Sequence, residues 1–309
     1  MRRFFLKTTS FFLFSMGVIL FIMCLPATPK SSKSLLFTAK FKNTLLRNTH
    51  KPRIIFLGGS NLSFGLDSKT VKDSLKLHPI NTGIHASLGL KFMLSNYLNY
   101  MKKGDVVVLV PEYHQYIDDF AYGADGEELA RMVFDVDLQN LFLLNSKQII
   151  YVCTKLPELI KSKLSFRNYF GYDFDFIYSK YVYNSFGDVA AKFLTKKQLV
   201  SPDISFNKSP INHKIIQDIV DFEKVLMKNG CKLFVSFPGY QETSFNNSST
   251  KIKQIYSLLK LKQIKLLGTP EIFKMNDSFI LNSTYHLNTF GVKQRTQLLI
   301  NEFTKQIQQ

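Results

Sequence analysis

The sequence predicts an α/β fold with a doubly wound, mostly parallel sheet, preceded by an N-terminal transmembrane helix. Short, almost continuously apolar runs alternate with longer segments of helical periodicity in both halves of the chain, and this alternation is typical of a parallel sheet covered by helices. One apolar run near the N-terminus is long enough to cross a bilayer. We therefore divide the 309 residues into a cytoplasmic tail and signal anchor (1–29), a basic juxtamembrane linker (30–52) and one α/β domain (53–309), which contains an aromatic-rich, helical insertion at about 118–210.

The first segment has the properties of a membrane anchor. Between Lys7 and Lys30 lie 22 uncharged residues, and as a helix they just span a hydrocarbon core of about 30 Å. Small residues typical of a cleavage site are missing before Pro26, where Leu25 stands, so we expect an uncleaved anchor through residues 8–29. The short basic start favours a cytoplasmic N-terminus, which places the domain on the periplasmic or extracellular side of the cytoplasmic membrane. A buried core helix is the alternative.

The charge of the chain is concentrated near this anchor. The formal net charge of +17 would by itself point to nucleic acid or to an anionic surface. The first 53 residues hold ten of the 40 basic residues and no acidic residue, which leaves +7 for the rest of the chain. We therefore expect the linker 30–52 to meet anionic lipid headgroups, and we expect no nucleic-acid partner.

The alternation of elements can be followed along the chain. In the first half it predicts strand 53–57, helix 67–77, strand 79–83, helix 88–101 and strand 105–110. In the second half it predicts helix 211–228, strand 232–237, helix 249–259, strand 263–267 and a last helix over 288–307. Because parallel strands end at one edge of the sheet, we expect the functional loops at their carboxyl ends.

The insertion contains a segment that is unusually rich in aromatic residues. Ten of the 21 residues at 166–186 are Phe or Tyr. One interpretation is a lid or cleft wall that stacks on sugar rings or meets the membrane interface. The other, which we favour because aromatic side chains most often lie in cores, is that these rings build the insertion's own core.

The strongest local signal for chemistry is the glycine-rich turn after the first strand. Gly58, Gly59 and Ser60 stand there, which places the serine at the carboxyl end of the strand, with backbone N–H groups able to donate to an oxyanion. A phosphate loop does not fit because no Lys follows Gly65, and a dinucleotide site would need G-x-G-x-x-G leading directly into a helix. A purely structural turn is the alternative.

The second signal is His286, in the loop before the last helix. This loop lies on the same sheet edge as Ser60, so a hydroxyl nucleophile and an imidazole base can meet there, which is the minimum for acyl transfer through a covalent intermediate. His85 and His114 stand at no spacing typical of zinc ligands. We expect polar loop residues at both positions, with no metal and no cofactor.

Together these residues resemble the SGNH/GDSL hydrolase superfamily, over residues 53–116 and about 231–300. The turn with Ser60 is similar to the first block of the family, Asn81–Gly83 to the second and His286 to the last. The resemblance implies an SGNH/flavodoxin-like fold, Ser60 as the nucleophile and His286 as the general base. It also implies that the N–H groups of Ser60 and Gly83 form the oxyanion hole.

Two positions depart from the pattern of the family. Glu112 stands in the third block, where an Asn usually donates to the oxyanion, and Ser283 stands where the acid of the triad is expected. Asn282, one residue earlier, can orient the histidine ring but carries no charge. Glu112, or less readily Asp277, can supply the missing carboxylate from elsewhere. The alternative for Glu112 is a carboxylate that accepts backbone N–H bonds in its own loop.

Two further motifs follow the third strand and precede the last helix, at Pro111–Tyr116 and Tyr285–Asn288. They are similar to those of a divergent, membrane-anchored subgroup of SGNH proteins associated with modification of cell-envelope polysaccharides, among them the teichoic-acid D-alanyl transfer protein. This resemblance implies a bacterial serine esterase or O-acyltransferase that acts on acyl groups of a cell-surface glycan, with a membrane-bound O-acyltransferase as partner. The missing acid and the missing Asn leave a second function open. In that case the chain is a catalytically weak SGNH-like protein that binds glycan or scaffolds a membrane-bound O-acyltransferase.

Overall fold

The computed structural model describes residues 1–195 and 198–308 and shows a mixed α/β structure with one four-stranded parallel sheet and an apolar N-terminal helix. The α-helices are α1 (Arg2–Cys24), α2 (Pro29–Ser32), α3 (Thr38–Asn48), α4 (Ser60–Ser63), α5 (Ser68–Leu75), α6 (Leu90–Leu98), α7 (Glu128–Arg131), α8 (Ser146–Thr154), α9 (Leu156–Leu164), α10 (His213–Lys228), α11 (Glu242–Asn247), α12 (Ser249–Leu261) and α13 (Thr289–Gln308). The strands are β1 (Arg53–Gly58), β2 (His78–Asn81), β3 (Val106–Val110), β4 (Lys232–Val235), β5 (Tyr240–Gln241) and β6 (Lys274–Met275). Short 3-10 turns and one π-helical turn connect these elements.

The main sheet has the order β2-β1-β3-β4, and all neighbouring strands are parallel. Ile55 of β1 lies opposite Ile80 of β2 and Val107 of β3, and every residue of β1 is buried. Strands that are buried on both faces need continuous apolar side chains, which is the pattern that predicted them. The four predicted strands that form this sheet are therefore confirmed.

Two features near the sheet differ from the prediction. The run 263–267 is not a strand, because only Leu266 pairs, through a single parallel bridge to Val235. The backbone turns at both sides of this run, since Gln263 has a φ of 58° and Gly268 a φ of 77°, which leaves too few extended residues for a ladder. The sequence pattern also did not predict β5 and β6, which are short and pair in parallel with each other.

The limits of the helices follow from their capping residues. α5 begins after Asp67, whose side chain accepts a hydrogen bond from the N–H of Thr70 at 3.2 Å. α10 begins after Asn212 in the same manner, and Gly230, with a φ of 69°, follows its end. Such side-chain oxygens satisfy N–H groups that a helix leaves unpaired at its start. The predicted helices of both halves are confirmed, with ends shifted by a few residues.

Residues 30–52, the predicted juxtamembrane linker, contain helical elements. They fold into α2, a 3-10 turn and α3, and Lys42 of α3 is fully buried. Its Nζ atom donates to Oγ of Ser63 at 3.1 Å and to the carbonyl oxygens of Gly83 and Gly187. A lysine can bury its long stem when hydrogen bonds satisfy its ammonium group. The segment is thus packed beneath the loops that follow β1 and β2.

The N-terminal helix α1 is long and apolar enough to cross a membrane. Only 11% of its most apolar 18-residue window is buried inside the structure. Beyond its C-terminal end, Nζ of Lys163, on α9, donates to the carbonyl oxygen of Leu25 at 2.6 Å. The sides of α1 are therefore exposed, while its end is fixed to the insertion.

The aromatic segment 166–186 does not form an internal core. None of its ten aromatic side chains is buried, although all of them lie in the described part of the chain. Phe166 is 74% exposed and Phe170 is 63% exposed, whereas Tyr178 and Tyr183 are half-buried against the main core. The interpretation that these rings only build the insertion's own core is therefore wrong. A cleft wall and a membrane contact remain as alternatives.

Candidate active site

Ser60 is the first residue of α4 and follows β1 after a single glycine. The turn needs glycine, because a Cβ atom on Gly59 would stand 2.7 Å from Oε1 of Glu112, and one on Gly58 would stand 2.5 Å from the carbonyl oxygen of Val110. Only a residue without a side chain permits so close an approach. The turn therefore holds the serine, which is 8% exposed, beside the carboxyl end of β3.

His286 lies in the loop before α13, and its ring meets Ser60. The Nε2 atom is 2.9 Å from Oγ of Ser60, and the ring stacks on that of Phe64 with centroids 4.1 Å apart. The loop is fixed by its backbone, because the N–H of His286 donates to the carbonyl oxygen of Ser283 at 2.9 Å. Two residues that are 226 positions apart in the chain are thus held at hydrogen-bond distance.

Asn282 orients the imidazole ring. Its Oδ1 atom lies 2.9 Å from Nδ1 of His286. An amide oxygen only accepts hydrogen bonds, so Nδ1 carries the proton and Nε2 is left to accept one from Ser60. Burial, together with a smaller effect of the charge of His85, lowers the pKa of His286 to about 3. The ring is therefore neutral near pH 7, and an amide stands where a triad would have its acid.

Glu112 faces the serine rather than the histidine. Its Oε1 atom accepts a hydrogen bond from the N–H of Asn61 at 3.2 Å and lies 3.5 Å from Oγ of Ser60. Burial raises the pKa of Glu112 to about 7, and the charge of Asp203 contributes to this rise. The hydrogen bond from the N–H of Asn61 acts in the opposite direction. Tyr285 is a further titratable group beside it. Glu112 therefore does not replace the acid of the triad but places a partly neutral carboxyl group at the nucleophile.

The structure places two other predicted residues differently from the expectation. The N–H of Gly83 donates to Oδ1 of Asn81 at 3.0 Å and so is not free to bind an oxyanion. A Cβ atom on Gly83 would stand 2.5 Å from the carbonyl oxygen of Gly59, which indicates that this glycine serves close packing of the two loops. Asp277 binds the N–H and the Oγ1 of Thr243, at 3.1 and 2.6 Å, and not the histidine.

Beneath the serine turn lies a polar network that the sequence analysis did not identify. Burial lowers the pKa of Lys42 to about 7, against the opposing charge of Asp188, and burial raises the pKa of Asp188. Asp188 accepts hydrogen bonds from Ser68 and Asn81, at distances between 2.7 and 2.9 Å. Helical periodicity could have indicated Lys42, because positions 38, 39, 42 and 46 form the buried face of α3.

His85 and His114 bind neighbouring polar groups. Nδ1 of His85 accepts a hydrogen bond from the N–H of Ser87 at 3.2 Å, and Nδ1 of His114 lies 3.2 Å from the hydroxyl of Tyr285. Within residues 1–195 and 198–308, no group of three His, Cys, Asp or Glu side chains is placed to hold a metal ion. The site thus consists of a hydroxyl, an imidazole, an amide and a carboxyl group, and it can move a proton from a nucleophile to a base.

A comparison of the chain with protein-family models finds no match, and a comparison with curated proteins finds none either. What the site can do chemically is therefore inferred from the arrangement of its residues.

Proposed function

We propose that the protein is a serine esterase or O-acyltransferase of the SGNH/GDSL type that acts on acyl groups of a cell-surface glycan. The observation that carries this proposal is the 2.9 Å distance between Oγ of Ser60 and Nε2 of His286, in a buried site where Asn282 orients the ring. A hydroxyl, an imidazole and an orienting group in this order have the geometry of acyl transfer through a covalent intermediate.

The order of the sheet supports a doubly wound SGNH fold. The order β2-β1-β3-β4 matches the first four strands of the flavodoxin-like order 2-1-3-4-5, in which ligands bind at the switch point between strands 1 and 3. Ser60 follows β1 and Glu112 follows β3, so both lie at this point. Leu266, with its single bridge to Val235 of β4, occupies the place of a fifth strand.

The geometry supports a two-step reaction. Oγ of Ser60 attacks the acyl carbonyl carbon while its proton passes to Nε2 of His286, and the carbonyl oxygen takes up the negative charge of a tetrahedral intermediate. The bond to the leaving alcohol then breaks, and the alcohol oxygen takes the proton from His286. In hydrolysis water attacks the acyl-serine, and in transfer a sugar hydroxyl does so. In both cases Ser60 regains its proton through His286.

Glu112 has a defined role in this reaction. The N–H of Ser60, at the start of α4, is an oxyanion donor close to the nucleophile, and the carboxyl group of Glu112 stands beside it, 3.5 Å from Oγ. An ionised carboxylate would repel the oxyanion, whereas a neutral carboxyl group donates a hydrogen bond to it, as the Asn of the third SGNH block does. Because the pKa of Glu112 is raised to about 7, the neutral form is abundant at and below neutral pH.

Active-site labelling tests the proposal. A fluorophosphonate probe should label the folded wild-type chain and leave Ser60→Ala unlabelled, because only an activated serine attacks phosphorus. His286→Ala should lose both labelling and turnover of p-nitrophenyl acetate while it folds as the wild type does. Ser236→Ala is the matched control, since Ser236 is also buried and directly follows β4, and its labelling should be unchanged. Absence of labelling in a folded wild-type chain would contradict the proposal.

The proposal includes the place of the domain in the cell. α1 crosses the cytoplasmic membrane with the part of the predicted anchor 8–29 that is helical, up to Cys24, and holds the domain on the periplasmic or extracellular side, where a membrane-bound O-acyltransferase can supply acyl groups. Cys153 is exposed on the insertion. In a Cys24→Ser background, a membrane-impermeant maleimide should label Cys153 in intact cells, or in spheroplasts if an outer membrane is present. Labelling only after lysis would contradict this orientation.

A second function is favoured by the amide at Asn282. It offers no charge to stabilise the imidazolium form of His286, whose pKa is lowered to about 3, and loss of the acid from a triad lowers the rate by orders of magnitude. These features suit a catalytically weak SGNH-like protein that binds glycan or scaffolds a membrane-bound O-acyltransferase. A folded chain that is inert toward acyl esters, and that retains glycan binding after Ser60→Ala, would favour this second function.

A further inference from the structure

Four large apolar side chains of the insertion are exposed close to the end of α1. Leu138 is 54% exposed, Leu164 60%, Phe166 74% and Phe170 63%. We call these four residues the apolar face. Single apolar side chains scattered over a surface are common, but a group of large ones beside each other marks a contact with a membrane or with another protein. The reaction described above uses none of the four.

Leu138 lies against the end of α1. It lines a small cavity together with Met23 and Cys24, which are the last two residues of α1. Met23 is buried at this contact and is 3% exposed, whereas Phe21, two residues earlier, is 68% exposed. The insertion therefore covers only the end of α1, and the exposed apolar surface of the helix continues onto Leu138.

The other three residues of the apolar face approach α1 from α9. This helix ends at Leu164 and contacts α1. Nζ of Lys163 donates to the carbonyl oxygen of Leu25, just beyond α1, at 2.6 Å. Phe166 and Phe170 follow α9 directly, and their rings lie 4.7 Å apart between centroids. All four residues of the face thus belong to segments that are fixed to one end of α1.

The end of α1 sets the level of the apolar face in a bilayer. α1 has 23 residues, so it is about 34 Å long at about 1.5 Å per residue. The hydrocarbon core of a bilayer is about 30 Å thick. A spanning α1 therefore ends at the boundary between acyl chains and headgroups. Apolar side chains that lie in this boundary are buried by about 5–10 Å, and the apolar face is at the same level.

The charges near the apolar face favour a lipid surface with anionic headgroups. Lys161 lies one turn before Leu164 on α9 and is exposed, and Lys30, which follows α1, is exposed as well. Arg167 is paired with Asp173 at 3.0 Å, and α9 carries one acid, Glu158, in its first turn. Leucine and phenylalanine with lysine at the rim are typical of surfaces that lie in the membrane interface.

We infer that the apolar face inserts into the lipid surface around α1 and gives the protein a second membrane contact. The inference rests on the part of the proposed function that places α1 in the membrane. A single helix would leave the α/β domain free to tilt, whereas two contacts hold it in one orientation. Ser60 then stays at a fixed height above the bilayer. A second copy of the chain or a partner protein on the same face is the alternative outcome of the test.

Fluorescence quenching in vesicles tests the contact. Phe166→Cys or Leu138→Cys is introduced into the full-length chain with Cys24→Ser and Cys153→Ser, and an NBD fluorophore is attached; the remaining Cys231 is buried. Leu261→Cys is the matched control, since Leu261 is 76% exposed at the end of α12, outside the insertion. The vesicles contain phosphatidylcholine and phosphatidylglycerol, with or without a doxyl group near the headgroup end of the acyl chain.

The labels in Phe166→Cys and Leu138→Cys should emit at shorter wavelengths than the label in Leu261→Cys, because they leave water. They should also lose fluorescence to the doxyl lipid, whereas the label in Leu261→Cys should lose none. The absence of quenching at all three positions overturns the inference. A shift of emission without quenching assigns the apolar face to a protein contact, such as a second copy, and also overturns it.

A label within α1 separates this inference from the proposed location. Leu13 lies near the middle of α1 and is 58% exposed, so Leu13→Cys should be quenched best by a doxyl group near the end of the acyl chain. Quenching in Leu13→Cys but not in Phe166→Cys overturns the apolar face and leaves the spanning helix. Quenching in Phe166→Cys alone overturns the spanning helix and supports the apolar face.

Charges placed within the apolar face test whether its members act together. Leu164→Asp and Phe170→Asp should strongly reduce the quenching of the label in Phe166→Cys, because a charge is costly to bury in the acyl region. Both residues are exposed, so circular dichroism should stay unchanged. Phe290→Asp is the control, since Phe290 is 73% exposed on α13, and it should not change the quenching. Undiminished quenching in Leu164→Asp and Phe170→Asp overturns the face as a unit.

Discussion

Asn282→Asp should convert the pair of Ser60 and His286 into a complete catalytic triad. Oδ1 of Asn282 is 2.9 Å from Nδ1 of His286, and aspartate places a carboxylate at the same point with almost no change in size. The negative charge stabilises the imidazolium that forms when the ring takes the proton of Ser60. We therefore expect a higher pKa for His286 and faster turnover.

The size of the effect follows from the geometry. Two unit charges about 4 Å apart, at an effective dielectric constant of about 20, attract each other by about 4 kcal/mol. This corresponds to about three pKa units and moves the pKa of His286 from about 3 toward about 6. In a serine protease, the opposite change from acid to amide lowers kcat about 10⁴-fold. We expect kcat/KM to rise at least about ten-fold, with about 10⁴ as the upper limit.

The assay is kcat/KM for p-nitrophenyl acetate as a function of pH, with the full-length chain. Asn282→Asp should be faster and should lose activity below about pH 6, because the base must be neutral to accept a proton. Asn276→Asp is the control, since Asn276 is exposed and its Oδ1 accepts from the N–H of Ser278 at 2.9 Å, which aspartate can also do. A folded Asn282→Asp chain that is no faster than the wild type would refute the reasoning.

Three more predictions concern groups around the serine. Glu112→Gln should abolish the loss of kcat/KM that the wild type shows as the pH rises above about 7, because an amide donates at every pH; identical pH profiles would contradict the role of neutral Glu112. Lys42→Met should lower the free energy of unfolding in urea by about 2–4 kcal/mol near pH 7. The pKa of Lys42 is lowered to about 7 in the folded chain from 10.5, so between pH 7 and 10.5 the unfolded chain binds more protons than the folded chain. The free energy of unfolding of the wild type should therefore rise with pH relative to that of Lys42→Met; the same pH dependence in both chains would count against a lowered pKa. Gly59→Ala would bring a Cβ atom within 2.7 Å of Oε1 of Glu112 and should slow fluorophosphonate labelling about ten-fold or more, with circular dichroism unchanged; wild-type labelling would show that the turn adapts.

Hydrophobic pattern was sufficient to predict the strands that carry the site. β1 and β3 are buried on both faces, so their sequences are almost uninterrupted apolar runs, and Ser60 stands where the first run ends. The proximity of Ser60 and His286 could also be predicted, because loops at one edge of a parallel sheet converge. These inferences need only the direction of the chain and the periodicity of its side chains.

The finer parts of the site depend on contacts that no local pattern encodes. Asn282, and not Ser283, reaches the imidazole, because the bend of the loop decides which neighbour points toward it. The N–H of Gly83 is occupied because Asn81, two residues earlier, folds its amide oxygen back to it. The burial of Lys42 was not predicted, because a lysine within a basic segment is expected to lie at the surface. Such outcomes are decided by tertiary packing.

The burial of Lys42 determines where the N-terminal part of the chain can be removed without disturbing the candidate site. A soluble form that starts at Arg53 would keep the whole sheet but lose the ammonium group that binds Ser63 and the carbonyl of Gly83. It would also lose the segment 28–36, which lines a cavity of about 580 Å³ together with His85 and Tyr178. A shortened form should therefore begin before Thr28, because the segment between α1 and the sheet supports the loops of the candidate site.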